Sequence, residues 1–543
     1  MVLKMSLRCN VGPTWSHSRI GTTSRVLSRS KAGERSAILS HVQNNRRKHE
    51  AEVSHRTKPW SKFITTLPTS DDSKGSEINA VRVKFVAFVE ESNPKKQREK
   101  KDNQKLQSLS TTLKPSYNSS DPFHCTIANM DAGTHAILHI TFSQASRANF
   151  LAESFAPSYM LLHQLPTRHD AMFQLRLKRC VEDEKLMYST LAYGSSLLGW
   201  MMGRFDSAKQ PEYFLDKALR AVRNYLATPG YIVDDWLLLS MYALAVTEMW
   251  NGLPVMWERS PQRHAMVSML GSHGFAACRM HLKALLQIVE NAGGWEQFNP
   301  YILDSVVMAD RYMAISHGRP LVIPITWDPG PLPPSIREEL GITGESVLPL
   351  LGTSLLLESL SEELHSVVRD LVDYCRIASE AWAWSSIGPE AEGWLFRRLQ
   401  AISCRLLNHI HDEQISHAHL CICFATLTFI SRSIAAKGPQ MSAQYAAGQL
   451  CLLLQEKHHS AEEMEISESL YFWLLFMGSV VAEPQLWFLE QLAEYCEEGE
   501  ISESSLEARL EPYLYLPSRQ GTRMPFIVDY LNSTSERTTR DII

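Results

Sequence analysis

The densest group of chemistry-bearing side chains lies within fifteen residues: His409, His411, His417, His419, Cys421 and Cys423. Imidazole and thiolate are the usual ligands of zinc. Their spacing argues against a shared ion. Residues at i and i+2 of a helix point to different faces, so a helical His409 and His411 cannot both reach one metal. Cys421 and Cys423 form a C-x-C, which is neither a redox C-x-x-C nor a zinc-ribbon pair. The stretch 415–434 reads as a buried helix in which small cysteines are ordinary packing. The group is therefore read as a histidine-rich helix junction, with no metal and no cofactor.

Other sources of catalysis leave no trace in the chain. There is no G-x-S-x-G nucleophile elbow, no G-x-x-x-x-G-K-[ST], no G-x-G-x-x-G after a strand and no H-E-x-x-H. Paired acidic metal-binding boxes do not occur. Tyr471, Phe472, Trp473, Phe476, Trp487 and Phe488 recur at helical spacing, which reads as core rather than as a cofactor site. The expectation is a protein that is not an enzyme.

Two compact positive clusters remain. Arg46, Arg47 and Lys48 form one; Lys95, Lys96, Arg98, Lys100 and Lys101 form the other. Such clusters neutralise phosphates and release counterions, giving sequence-independent affinity for DNA, and they also suit nuclear-import recognition. A solvated charged tail is the plainer use of the same residues. Cys9 is the only cysteine before residue 120, so no zinc-cluster module can form there to read bases.

The elements that would carry these residues divide the chain at about residue 120. Residues 1–120 hold 23 Lys and Arg against 10 Asp and Glu, a net of +13, whereas residues 121–543 hold 31 against 49, a net of −18. The first part is rich in Ser, Thr, Asn, Lys and Arg and poor in apolar periodicity, the composition of a mostly disordered arm. Within it, 37–48 could form a short helix and Val81 to Val89 alternates as a strand would. Residues 1–33 have the Arg- and Ser-rich, acid-free composition of a transit peptide. Gly12-Pro13 interrupts any amphipathic helix there, and the basic character runs on past residue 33, so the arm reading is preferred. No secretory signal is expected.

Residues 121–543 read as one helix after another, an all-α body. Tyr231 to Trp250 is apolar nearly all round and stops at Asn251-Gly252. From His281 to Val289 the apolar positions Leu282, Leu285, Leu286 and Val289 share a face, and Gly293-Gly294 ends the helix. Ser460-x-x-Glu463 and Ser504-x-x-Glu507 have the capping-box spacing. Pro329, Pro331, Pro333 and Pro334 mark a Pro-rich joint near 320–345. The longest apolar run, Leu470 to Val481, fits a core helix and is too short to span a membrane. Ten cysteines in 543 residues are too few for a disulfide scaffold.

Several of these segments resemble the fungal-specific transcription factor family, whose large helical regulatory domain often follows a zinc-cluster DNA-binding domain. Arg35 to Gln43 with Arg46-Arg47-Lys48 looks like a Ser-His-Val plus basic element near the start of many members, and Phe85 to Pro94 like the apolar stretch that accompanies it. Here the two occur in the reverse of the expected order. Asp121-Pro122-Phe123 and Met130-Asp131 resemble the start of the regulatory domain. Tyr188 to Leu198, Ala218 to Leu226, Asp235 to Trp250, Leu282 to Gly294, Leu303 to Ile315 and Leu470 to Met477 with Trp487-Phe488 follow its order. The likeness covers most of residues 35–515 and lacks the zinc cluster. It implies a nuclear regulator of transcription, controlling a metabolic or secondary-metabolite gene cluster. Its partners would be the transcription machinery or another DNA-binding regulator, DNA through the arm, and a second copy in a homodimer, with no membrane. The alternative is a helical enzyme or scaffold with an unrecognised site.

Overall fold

The computed structural model describes residues 127–128, 131–144, 149–157, 168–202, 210–253, 261–342, 348–382, 387–434, 439–456, 466–481, 485–496 and 501–542. The expected basic arm, with its short helix at 37–48 and strand at 81–89, lies outside them, as does the Ser460–Glu463 pair. By internal contacts the chain divides into one unit of residues 1–73 with 229–232 and a second of 74–228 with 233–543. Of the first unit only the helix-free link 229–232 is described. All that follows concerns the second.

The second unit is all-α, with no strand among the described residues. Its first helices are α1 (Ala132–Gln144), α2 (Asp170–Cys180), α3 (Glu184–Met202), α4 (Pro211–Ala227), α5 (Asp235–Gly252) and α6 (Pro261–Asn291). Then come α7 (Pro300–His317), α8 (Pro334–Glu339), α9 (Glu362–Ala381), α10 (Pro389–Ile410), α11 (His417–Ser433) and α12 (Pro439–Glu456). The last are α13 (Glu468–Ser479), α14 (Gln485–Tyr495), α15 (Glu503–Leu510) and α16 (Met524–Ile542). None of the described helices is long and apolar enough to cross a membrane.

Local sequence explains most helix ends. The Asp234 carboxylate accepts the Leu237 N–H at 2.8 Å and starts α5, and the Asn299 side chain accepts the Tyr301 N–H at 3.0 Å ahead of Pro300 in α7. Ser361, Ser416 and Ser467 cap α9, α11 and α13 in the same way. Helix α6 begins well before the segment read from its apolar face and ends as expected: Gly293 and Gly294 have φ of 102° and 104°, and Gly294 N–H returns to Val289 C=O. Leu282, Leu285 and Val289 are buried on that helix while Lys283, Gln287 and Glu290 face solvent.

One cap differs from its expectation. Ser504 does not cap α15. Ser502 does, in a reciprocal box with Ser505. Leu506 and Leu510 both face the core, and Glu507 accepts from Tyr515 Oη at 3.0 Å instead of closing a box with Ser504.

Two neighbourhoods make up the packing. In the first, α3 packs on α1, α4 and α5, and α5 packs on α6. In the second, α13 is buried from Leu470 to Ser479, and Trp473 donates to Leu514 C=O at 3.1 Å. Helices α7, α10, α11 and α12 close a ring: α7 packs on α10 and α12, and α11 packs on the same two. The Pro-rich segment 319–333 is helix-free and lies along this ring. Asp310 accepts the Val322 and Ile323 N–H groups at 2.8 and 2.7 Å, and Trp394 Nε1 donates to Gly330 C=O at 3.2 Å.

Candidate functional site

The structure spreads the histidine and cysteine group over separate partners. His409 ends α10 with Nε2 3.2 Å from Ser361 Oγ, and His411 follows as the C-terminal cap. His419 Nε2 reaches Ser359 C=O at 3.0 Å, whereas His417 Nδ1 faces Cys421 Sγ at 4.0 Å. Burial pushes the Cys421 thiol up to about 12 and Cys423 further, so neither is poised as a thiolate. Among the described residues no three His, Cys, Asp or Glu side chains converge to hold a metal ion. The basic residues Arg46, Arg47, Lys48, Lys95, Lys96, Arg98, Lys100 and Lys101 lie outside the described residues.

A different set of residues forms the most concentrated buried chemistry. Asp304 sits on α7 at 1 % exposure. Its Oδ2 accepts from Arg168 Nη2 at 2.6 Å and from His169 Nε2 at 2.8 Å, and its Oδ1 accepts from Arg397 Nε on α10 at 2.7 Å. Burial alone would push this carboxyl up. The His169 hydrogen bond and the Arg168 and Arg397 charges outweigh burial and hold it below the usual range.

His169 is pushed down, chiefly by burial, against the pull of Asp304. The stable pair is thus an ionised carboxylate and a neutral imidazole whose Nε2–H points at it. That assignment leaves no lone pair at Nε2 for Arg168 Nε, 3.2 Å away, so the shorter, charge-assisted contact to Asp304 is the real hydrogen bond.

Glu392, one turn into α10, completes the cluster. Its Oε2 accepts the Arg168 N–H at 2.9 Å while Oε1 has no partner. Burial raises its carboxyl to about 7, against the Arg168 N–H and charge, with Asp304 and Asp170 adding to the rise. Two carboxyls in one cluster are thereby driven apart: Asp304 stays ionised, and Glu392 exchanges its proton near neutrality. Gly393 leaves room beside them: a Cβ there would fall 1.5 Å from Arg168 Nη1, so a larger residue would displace the guanidinium. Phe150 packs at 4.9 Å on the His169 ring and 5.0 Å on Phe396, enclosing the cluster in aromatic carbon.

Two further buried or half-buried ion centres flank it. Arg311 Nη2 and Tyr312 Oη both donate to Glu153. Arg398 bridges Asp328 and Asp370 at 2.9 and 2.8 Å, and Arg405 joins Asp370 to Glu363. Together these ties join 149–153, 168–169, α7, α9, α10 and the Pro-rich segment.

Sequence reasoning did not single out these residues. The available signal was the presence of Asp304, Asp310 and Arg311 among apolar residues at helical spacing in Leu303 to Ile315, since a buried charge demands a partner. Their partners lie as far as 158 residues away in the chain, beyond any local pattern. Comparison with family models, with curated proteins and with solved structures finds no match to this chain.

Proposed function

We propose that this protein is a nuclear regulator of transcription that acts by binding rather than by catalysis, its all-α body contacting partner proteins and its basic clusters supplying nuclear import and weak phosphate contact. What supports the reading is the resemblance of the sequence segments from Tyr188 to Phe488 to those of the fungal-specific transcription factor regulatory domain, beside an all-α body. The split of charge supports it: a net of +13 before residue 120 suits polyanions, and a net of −18 after it keeps the body itself off DNA. In this reading the ionic ties around Asp304, Glu153 and Asp370 hold the helices in one arrangement, DNA sequence is read by another DNA-binding regulator, and a second copy of this chain joins it as a homodimer. The regulated genes would form a metabolic or secondary-metabolite cluster.

The test is chromatin occupancy mapped genome-wide, with transcript profiling after deletion of the gene. Occupancy at a limited set of promoters, with loss or gain of the adjacent transcripts, is the expected result. Neither occupancy nor transcript change overturns it. For the arm, changing Arg46, Arg47 and Lys48 together to Ala is expected to lower nuclear accumulation and flatten the salt dependence of DNA binding; unchanged localisation and slope refute that role.

A further inference from the structure

Arg168, Arg311, Arg397, Arg398 and Arg405 each hold a carboxylate in this acidic body. The C-terminal end of α7 is different. There, donors from four helices gather around the tetrapeptide His317-Gly318-Arg319-Pro320. Arg279 reaches across from α6 and donates from Nη1 to Pro320 C=O at 2.7 Å. His411, the C-terminal cap of α10, has its ring beside Arg319 C=O. Tyr445 comes from α12, and a Cβ at Gly318 would fall 2.4 Å from its Oη. His317, the last residue of α7, lies flat against Phe275, with ring centroids 4.2 Å apart and planes inclined by 13°.

No carboxylate answers this group. Among the described residues neither Arg279 nor Arg319 forms an ion pair. Asp310, whose charge reaches Arg279, spends its oxygens on the Val322 and Ile323 N–H groups. Asp412, next to His411, accepts the Gln414 N–H at 3.0 Å. Both imidazoles are pushed down, first by burial and then by the same two guanidinium charges of Arg319 and Arg279, and no carboxylate pulls either one up. Helix dipoles explain only part of the gathering. A helix C-terminus carries about half a negative charge, so the ends of α7 and α10 together offset about one of the two arginines. The backbone already caps α7, since the Gly318 and Arg319 N–H groups both return to Ala314 C=O. The end of α7 therefore carries surplus positive charge.

We propose that the C-terminal end of α7 is a binding site for a phosphate group, as the free ion or as a small monoester, held by Arg279 and Arg319 with His317 and Tyr445 as further donors. A phosphate dianion presents several acceptor oxygens on a compact tetrahedron, and a guanidinium fork matches two of them at once. Arg279 keeps Nη1 on Pro320 C=O, which fixes its fork and leaves its other N–H groups for the ion. His411 steadies the Arg319 backbone through its carbonyl. Tyr445 Oη adds a donor without adding charge. The place is open to an ion: Arg319 is exposed, and Arg279, His317, His411 and Tyr445 are half-buried, so solvent already reaches all five residues. This inference does not depend on the transcriptional reading.

The probes are inorganic phosphate and methyl phosphate, titrated separately into the full chain at constant ionic strength and followed by phosphorus NMR and calorimetry. Saturable binding is expected; tighter binding of methyl phosphate assigns a monoester, and tighter binding of the inorganic ion assigns free phosphate. Arg319→Ala, at an exposed position, should weaken binding by about tenfold or more. Arg279→Gln, which removes the other guanidinium, should do the same and serves if the first variant fails to fold. Arg220→Ala removes an equal charge from α4, where Arg220 pairs with Asp216, and should leave binding unchanged. The inference is overturned by no saturable binding of either probe to the wild-type chain, or by binding that persists unchanged in a folded Arg319→Ala or Arg279→Gln variant. Equal weakening by Arg220→Ala also overturns it, because the attraction would then belong to overall charge rather than to this site.

Discussion

Among the described residues two glutamines are wholly buried, and their surroundings could hardly differ more. Gln520, in the single turn before α16, accepts the Leu516 N–H at 2.8 Å and donates to Ser433 Oγ at 2.9 Å. Gln400, in the middle of α10, meets nothing at either end. The same contrast runs along α10 itself. Arg397 and Arg398 carry full charges and each finds a carboxylate, on Asp304 and on Asp328 and Asp370, whereas the neutral side chain one turn later is left over. A charge with no partner would unfold or neutralise, so buried ions force their own pairing. An unpaired amide costs less than an unpaired charge, so a fold can carry one. The region around Asp304 and Gln520 is framework whose pairing the fold enforces, and Gln400 is a polar group that the same fold leaves unmatched.

Breaking the paired side of this comparison should cost most. Asp304→Ala leaves Arg168, Arg397 and His169 facing one another without an acceptor, and denaturant unfolding should show a loss of about 3–5 kcal/mol. A loss below about 1 kcal/mol would mean that the three contacts are not maintained in solution. The glutamines sharpen the contrast, because one substitution should act with opposite signs. Gln520→Met abandons the Leu516 N–H and Ser433 hydroxyl and should destabilise by about 1–3 kcal/mol. Gln400→Met removes two unpaired groups and should stabilise by about the same amount. Equal signs would erase the distinction between the two sites.

Glu392 gives a pH-dependent version of the test. Its folded carboxyl is raised to about 7, so the folded state holds the proton more tightly than the unfolded chain. Folding therefore loses stability as pH rises from the ordinary glutamate range to about 7, and the full cost is present above that. Asp304 works the other way: held low, it contributes above the unfolded aspartate value and loses its contribution only as the solution turns strongly acidic. Glu392→Gln, which keeps an oxygen for the Arg168 N–H, should be more stable than wild type by about 2 kcal/mol at pH 8 and about equal to it near pH 4, read from urea midpoints across the range. An unchanged difference across pH would remove Glu392 as the source.

Smaller effects are expected at the surface. Ser361→Ala removes the cap of α9 and the His409 contact together and should cost about 1 kcal/mol in the thermal or denaturant midpoint. His419→Ala should stay within about 0.5 kcal/mol, and added zinc should leave the midpoint unmoved. Stoichiometric zinc in the purified chain, lost on changing His417 and His419, would reverse that conclusion.

Much of the helical body is legible in the residues. Asp234 ahead of an apolar run, Ser416 ahead of the Cys421 stretch, and Gly293-Gly294 after a one-faced pattern are local signals, and the structure places α5, α11 and the end of α6 by them. The start of α6 was not legible, since Pro261 to Met280 has no single apolar face to announce it. The cap at Ser502 was missed because the spacing rule sees serines and acids but not which register puts Leu506 and Leu510 inward. The site residues were hidden for a stronger reason. Arg168, Asp304 and Arg397 are ordinary charges until they meet, and they meet across 136 and 93 residues of chain.

By itself, then, the amino-acid sequence determined what depends on neighbours within a few turns: the all-α class, some of the helix ends and the opposite charges of arm and body. Hydrophobic period and capping act over one to four residues, so they can be read in one dimension. Only the tertiary structure decided which buried polar groups are satisfied. Pairing is a property of the space between helices, and the sequence of α10 carries no mark that Arg397 would find Asp304 while Gln400 would find no partner among the described residues.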